Sequence, residues 1–382
     1  MSKVEELLAK YNPNGVFQSD LREVSSIIRG KRVTKRDVKE RGDYPVISGG
    51  ESPMGYYDTF NREANTITIA QYGAAGYVDF QKNKFWANDV CYSILPFESV
   101  DNKYLYYTLK SKQNYIYSIR NTDAVPFSLP INSLYSIQIP LPHIKVQEEI
   151  VKILDSFTNL IDALNEELSL RQKQFEYYRE KLLTDNRINR TCKTISELSI
   201  DIFSGATPST KNKKYWDNGD IPWMNSGDIH QKIINCISNF ITEEGYQSCS
   251  TKMVPIHSIV IALAGQGKTR GTVGITNTEL CTNQSLCAIV TNDNIIIPKY
   301  LFYFLDKEYN NLRRVSSGDG TRGGLNLQMI KNYIIEYPSI SIQQSIVEKL
   351  DAFESLISSL KEEIALRQKQ YEYYREKLLT FD

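Results

Sequence analysis

From Ile150 onward, apolar residues recur at Leu154, Phe157, Ile161, Leu164, Leu168, Phe175, Tyr178 and Leu182. Steps of four and three place them on one stripe of an α-helix, the seam of a coiled coil. The stripe returns at Ile346, Leu350, Phe353, Ile357, Leu360, Ile364, Tyr371, Tyr374 and Leu378. Each copy has one charged seam position, Arg171 and Arg367. A charge in an apolar seam costs stability, so these arginines either fix register, meet a partner's acid, or run along the seam edge with the head in water. Proline-bearing segments, IPLPHIKVQ (139–147) and YPSISIQ (337–343), stop a strand and start each helix. Elsewhere, β-branched and aromatic runs at Thr66–Ala70, Val90–Leu95, Ile256–Leu263 and Ser285–Val290 predict strands among glycine and asparagine turns. Short helices are expected near Tyr104–Lys110 and Tyr300–Lys307.

The two helix patterns belong to a longer repeat. Leu170 to Thr184 reads LRQKQFEYYREKLLT and Leu366 to Thr380 reads LRQKQYEYYREKLLT, differing only at Phe175 and Tyr371. The register of 196 residues holds upstream, where QEEIVKILD (147–155) meets QQSIVEKLD (343–351). Tyr104-Leu105-Tyr106-Tyr107 likewise meets Tyr300-Leu301-Phe302-Tyr303. With small insertions, NTITIAQYGAAGYV (65–78) resembles SIVIALAGQGKTRGTV (258–273), and Asn88 falls opposite Asn283. The chain is a duplication: variable module, helix, variable module, helix.

The fold class this predicts is α+β, with two globular mixed α/β modules separated by two long helices. The helices pack as an antiparallel coiled coil, and the duplication makes the whole pseudo-two-fold. Expected boundaries are 1–142 for the first module with a short N-terminal helix, 143–187 for the first spacer, 188–338 for the second module and 339–382 for the second spacer. An antiparallel pair has a local two-fold axis that presents equivalent module faces on one side. B-DNA has the same dyad in its backbone, and two-fold binders read half-sites about one helical turn apart. Because the modules differ in sequence, the implied target is split and asymmetric.

Composition narrows the chemistry. Hydrophobic residues make up 41%, enough for each module to bury a core. No run of eighteen apolar residues occurs, and the opening MSKVEELLAKYNPNG is charged, so no membrane span or signal peptide is expected and the chain reads as cytoplasmic. Cys91, Cys192, Cys236, Cys249, Cys281 and Cys287 form no CxxC pair, and His143, His230 and His257 lie far apart, which argues against a zinc site or disulfide framework. Net charge is zero; residues 15–140 hold 15 basic and 13 acidic side chains, and residues 188–337 the same. Bulk charge therefore decides nothing, and clustering has to be read locally.

Lys31, Arg32, Lys35, Arg36, Lys39 and Arg41 crowd into eleven residues, diluted only by Asp37 and Glu40. Such a run is either a solvated face or a DNA contact. Lys82 and Lys84 mark a second basic strip, Tyr72 sits on a glycine turn able to reach a base edge or phosphate, and Arg120 joins the first module's candidates. In the second module Lys211, Lys213 and Lys214 precede Trp216, while Arg313, Arg314 and Arg322 surround SSGDGTRGG. Arg322, between glycines, is the foremost base-contact candidate, because arginine pairs bidentately with guanine. ALAGQGKT (262–269) imitates a phosphate-binding loop, but the pattern's first glycine is Ala262, and residues 270–274 read as turn and strand rather than helix. The segment is either a DNA-contacting loop with Gln266, Lys268, Thr269 and Arg270 at its tip or an ordinary exposed turn.

This layout resembles the specificity subunit of type I restriction–modification enzymes. The likeness covers nearly the whole chain and rests on the duplicated helix segments and on VEELLAKYNPNG near the amino terminus. It implies a prokaryotic subunit with two target recognition domains that binds double-stranded DNA. It also implies two methyltransferase subunits, carrying S-adenosylmethionine and methylating adenine N6, with motor–nuclease subunits joining to cleave. The second spacer departs mildly, with Tyr337-Pro338-Ser339 where the first has Ile139-Pro140-Leu141-Pro142. An adenine methyltransferase needs an (N/D)PP(F/Y) element and a glycine turn for its cofactor; neither is present, so no cofactor is expected on this chain and base flipping falls to a partner.

Pairing of the helices requires only the seam to match. Yet Gln172, Gln174, Glu176, Arg179 and Lys181 also match Gln368, Gln370, Glu372, Arg375 and Lys377. Either these form two equivalent partner-binding faces, or the duplication is recent or has been homogenised. Rival readings are a coiled-coil adaptor for protein or sugar ligands and an NTPase using Lys268. The spacer provides a test. From Gln147 to Thr184 it runs 38 residues, roughly 57 Å at 1.5 Å per residue. Half-site centres about 10 base pairs apart leave roughly five to eight unread pairs between half-sites of about three to five. Four residues inserted between Leu164 and Leu168 lengthen the helix by about 6 Å and should widen the gap by about one or two base pairs, with both half-sites unchanged. Methylome mapping reads this, and an unchanged gap at full activity would show that the helices do not set the spacing.

Overall fold

The computed structural model describes residues 2–123, 125–265, 268–316 and 324–381. The chain divides into two units, residues 1–166 with 361–382, and residues 167–360. Two long helices, Ile144–Thr184 and Ile340–Leu379, are shared between them. The first begins in unit 1 and ends in unit 2; the second does the reverse, so the pair is antiparallel. Within unit 1 the Phe157 ring stacks on Tyr374 at 5.3 Å. Within unit 2 Tyr178 stacks on Phe353 at 5.4 Å, the same contact with the copies exchanged. The spacing of four and three is therefore the packing seam. Arg171 bonds Glu167 and Gln174 of its own helix, and Arg367 bonds Glu363 and Gln370, so both heads lie along the seam edge. Among the described residues no helix is long and apolar enough to cross a membrane.

Unit 1 is built on a four-stranded antiparallel sheet in the order Ser25–Arg29, Cys91–Pro96, Thr66–Ala70, Val78–Gln81. Unit 2 repeats it as Ser199–Ser204, Leu286–Thr291, Ile259–Ala262, Val273–Thr276, with Ile233–Ile234 added in parallel at the edge. The central strands Thr66–Ala70 and Ile259–Ala262 are buried at every position. Covered on both faces, Ile259–Ala262 reads as a continuous apolar run, whereas in Thr66–Ala70 threonine alternates with isoleucine and is buried all the same. In unit 2, Ile259 and Ile261 enter a core with the helix Pro298–Lys307, and Val260 and Ala262 enter a second one with Met224, Ile229 and Leu280. Each unit also has a small three-stranded sheet, and the chain meets it at a glycine. A Cβ on Gly30 would stand 2.1 Å from the Ala87 oxygen, and one on Gly205 1.7 Å from the Thr282 oxygen. Only glycine permits that approach.

The repeated QxxIVxxLD segment acts where module meets helix. Gln147 and Gln343 are fully buried. The Gln147 side chain accepts from the Asp101 amide at 2.8 Å and donates to the Pro142 carbonyl at 2.8 Å. Gln343 does the same with Ile297 (2.8 Å) and Pro338 (2.9 Å). A buried amide can be kept only if its donors and acceptors are met, and here each hooks the start of the short helix to the start of the long one. Two turns on, Tyr107 donates to Asp155 and Tyr303 to Asp351, both at 2.7 Å. The copies differ beside this pair. Thr158 lies next to Tyr107, whereas in unit 2 the matching residue is Glu354, also 2.7 Å from the Tyr303 hydroxyl. One hydroxyl proton then faces two carboxylates.

Burial, with Asp351 and Asp306 adding repulsion against the pull of Tyr303 and Lys299, holds the Glu354 carboxyl above its usual range. A folded-state pKa above the unfolded one is favourable at low pH, and that contribution is lost as pH rises through the raised value. Glu354→Gln should therefore be more stable than the parent at neutral pH, with the difference vanishing as pH falls to the ordinary carboxylate range. Denaturant midpoints across pH 4 to 8 measure this; a difference independent of pH would refute it.

Candidate nucleic-acid interface

In unit 1 the turns at the ends of the sheet strands gather round Asn88. This buried side chain accepts from the Val33 amide at 3.0 Å and donates to the Val33 carbonyl and the Ser48 hydroxyl, both at 3.2 Å. Its own amide donates to Ile47 at 2.9 Å. One residue so joins the basic loop 31–37, the turn at 48 and its own turn, and the Ala74 amide ties the Tyr72 turn to Gly49 at 2.7 Å. Lys31, Arg32, Lys35 and Arg36 are all exposed on that loop, and no carboxylate of a described residue pairs with them. Asp37, exposed on the same loop, accepts from the Thr34 hydroxyl and amide, which hold its carboxyl below the usual range. Tyr72 is exposed on the neighbouring turn. Arg120 is half-buried over the Tyr117 and Phe127 rings and reaches the Ala75 carbonyl, so it clasps the turn. Lys82 and Lys84 stand apart, beyond the other end of the strand Val78–Gln81, paired with Asp162 (3.3 Å) and Glu63 (3.0 Å).

Unit 2 assembles the equivalent cluster. The Asn283 amide donates to Met224, as Asn88 does to Ile47. Lys211, Lys213 and Lys214 are exposed beside Trp216, which meets Trp223 edge-on at 5.0 Å. Lys268 is exposed, Thr269 contacts His230 at 3.2 Å, and Arg270 is buried. Arg313 lies over the Tyr309 ring and donates to the Arg270 carbonyl at 3.3 Å; Arg314 is exposed and bonds Asn311. Gln266 and Arg322 lie outside the described residues. The turn at Lys268–Gly271 runs into the strand Val273–Thr276, not a helix, so it lacks the aligned helix amides that hold a nucleotide phosphate. Sequence reasoning noted Asn88 and Asn283 only as a match; the part of Asn88 in joining the loops depends on contacts across 55 residues.

On the long helices Gln172, Glu176, Lys181, Gln368, Gln370, Glu372 and Lys377 face outward, and Gln174 is half-buried against Arg171. Arg179 does not: it is 14% exposed and pairs with Asp306 at 2.6 Å. Its counterpart Arg375 lies over the Tyr371 ring. Missed in the sequence was a set of exposed apolar residues off the seam, Leu170 and Tyr177 with their equivalents Leu366 and Tyr373. Leu170 and Tyr177 are one heptad apart and so share a helix face. Identity between copies at positions the seam does not use was the available signal.

A family model for the type I restriction modification DNA specificity domain matches residues 13–170 and 192–366. The EcoR124I/EcoR124II type I restriction enzyme specificity subunit of Escherichia coli is 32% identical over 73% of this chain and 70% of its own length. A putative type I restriction enzyme specificity subunit of Haemophilus influenzae is 30% identical over 94% of both chains. In fold, the chain is similar to the S subunit of a type I restriction–modification system from M. genitalium, with a TM-score of 0.68, 18% identity and 96% of each chain covered. Duplicated domains, paired helices and these likenesses agree: the chain belongs to the type I restriction–modification DNA specificity family.

Proposed function

We propose that the two loop clusters each read one half of a split, asymmetric duplex target. The outer helix faces carry two methyltransferase subunits, which hold S-adenosylmethionine and do the chemistry, and motor–nuclease subunits join that assembly. The observation behind the reading is one frame used twice with different tips: the same asparagine backbone bond to the small sheet and the same arginine clasp, but unlike exposed side chains in the two modules. A frame held by buried hydrogen bonds fixes where the loops stand, and loop side chains are free to specify. Phosphate contact by Lys31, Arg32, Lys35 and Arg36 releases counterions, so affinity falls with salt. For the full chain on duplex DNA, each of these residues that contacts a phosphate should reduce the log–log salt slope by about 0.9 when replaced by alanine. Absence of any salt-dependent duplex affinity would sink the reading.

Leu170 and Tyr177, with Leu366 and Tyr373, supply the apolar centre of the proposed faces, ringed by glutamine, glutamate and lysine. Native mass of the assembly should show two methyltransferase subunits per chain. Tyr177→Asp with Leu170→Asp should remove one and leave the other. A one-to-one complex at saturation in the parent would refute the arrangement.

A further inference from the structure

The two modules close the same turn in the same way. Gly76 and Gly271 both adopt left-handed backbone, at φ +86° and +82°, and each leads into a strand that opens at Val78 or Val273. An arginine side chain crosses to the carbonyl one residue earlier, Arg120 to Ala75 at 3.5 Å and Arg313 to Arg270 at 3.3 Å. Ala75 is fully buried. The turn therefore closes with a methyl group at this position, and nothing in its geometry calls for a guanidinium. Unit 2 nonetheless buries Arg270 there, at 8% exposure. Its Nε is sealed from solvent without a hydrogen-bond partner, and no carboxylate of a described residue pairs with it. The Arg179 Nε in the same unit is likewise without a partner, but Arg179 has the carboxylate of Asp306, as Lys307 has that of Glu308.

Withdrawing a charge from water without a counter-charge is among the costlier things a fold can do. Among the described residues the groups around this turn supply no anion: Lys268 and Arg314 are exposed, Arg313 donates to the backbone and His230 meets Thr269. We propose that Arg270 is a preformed receptor for one backbone phosphate of the duplex, an inference that rests on the DNA-reading function above. The missing anion is the ligand's. A phosphate is favoured over a guanine edge because bidentate base reading needs a side chain that projects into the groove, whereas two phosphate oxygens project outward and can reach a recessed guanidinium. Arg270 fixes the position of unit 2 on the duplex without choosing a base.

The test uses the full chain with Arg270→Ala, the first module's residue, and Arg270→Gln as a second variant. Both should bind target and non-target duplex about tenfold to a hundredfold more weakly, the loss of a charge-assisted hydrogen bond. The salt slope should fall by about 0.9 while base preference at every position is kept. Both should melt at or above the parent temperature, since an unpaired buried charge has been removed. Unchanged affinity and slope in variants of a parent that binds DNA would overturn the phosphate role alone. Relaxed preference at one base pair with an unchanged slope would make Arg270 a base reader, and a melting point several degrees lower would make it structural; either outcome overturns the proposal. A parent with no salt-dependent duplex affinity would instead remove the reading on which the proposal stands.

Discussion

Each unit builds its core from segments of both long helices. In unit 1, Ile150 and Leu154 from the start of one long helix are buried with Tyr371 and Leu379 from the end of the other, and Val4 of the N-terminal helix completes the cluster. In unit 2, Leu183 from the end of the first helix is buried with Ile346 and Leu350 from the start of the second. An apolar stripe on a helix has to be covered, and here each stripe is covered by the other copy. That requirement ties two modules of different sequence into one molecule and keeps the helix segments alike while the loops diverge.

The hook at Gln147 and Gln343 carries the constraint into the modules. Because the short helices Asn102–Ser111 and Pro298–Lys307 are fastened to the long ones through buried amides and through tyrosine–aspartate bonds, the sheets they cover are fastened too. Loops at the strand ends then stand on a frame whose position relative to the helices within each unit is fixed. A subunit that recognises its target by where its loops are held, rather than by performing chemistry, depends on that stiffness.

The one difference in the fifteen-residue repeat has a local reason. Where the second module offers Asp306, Arg179 pairs with it over the ring of Phe175. The matching residue of the first module is Lys110, which cannot pair with Arg375, and there Tyr371 stands in place of phenylalanine with Arg375 over its ring. The duplicated helix has adjusted to the module it meets. A substitution of Phe175 or Tyr371 is thus conservative in the repeat and not in its surroundings.

Duplication, helix extent and the antiparallel pairing were legible because they rest on periodicity, which is written locally in the chain: the seam from Ile150 to Leu182 is the packing surface, and its copy is the other half. The central strands were legible for the same reason, as β-branched runs among glycine turns. The candidate site was legible only as a list of cations. Lys31 and Lys82 look alike in the sequence; tertiary structure leaves the first exposed in the loop cluster and pairs the second with Asp162, eighty residues on. Arg270 and Ala75 align in equivalent turns, yet only burial distinguishes an exposed tip from a recessed arginine. Arg179 matched its neighbours on an outward face until Asp306, 127 residues away, turned it inward. Charge pairing and desolvation depend on which distant groups come within a few ångströms, and no local pattern encodes that distance.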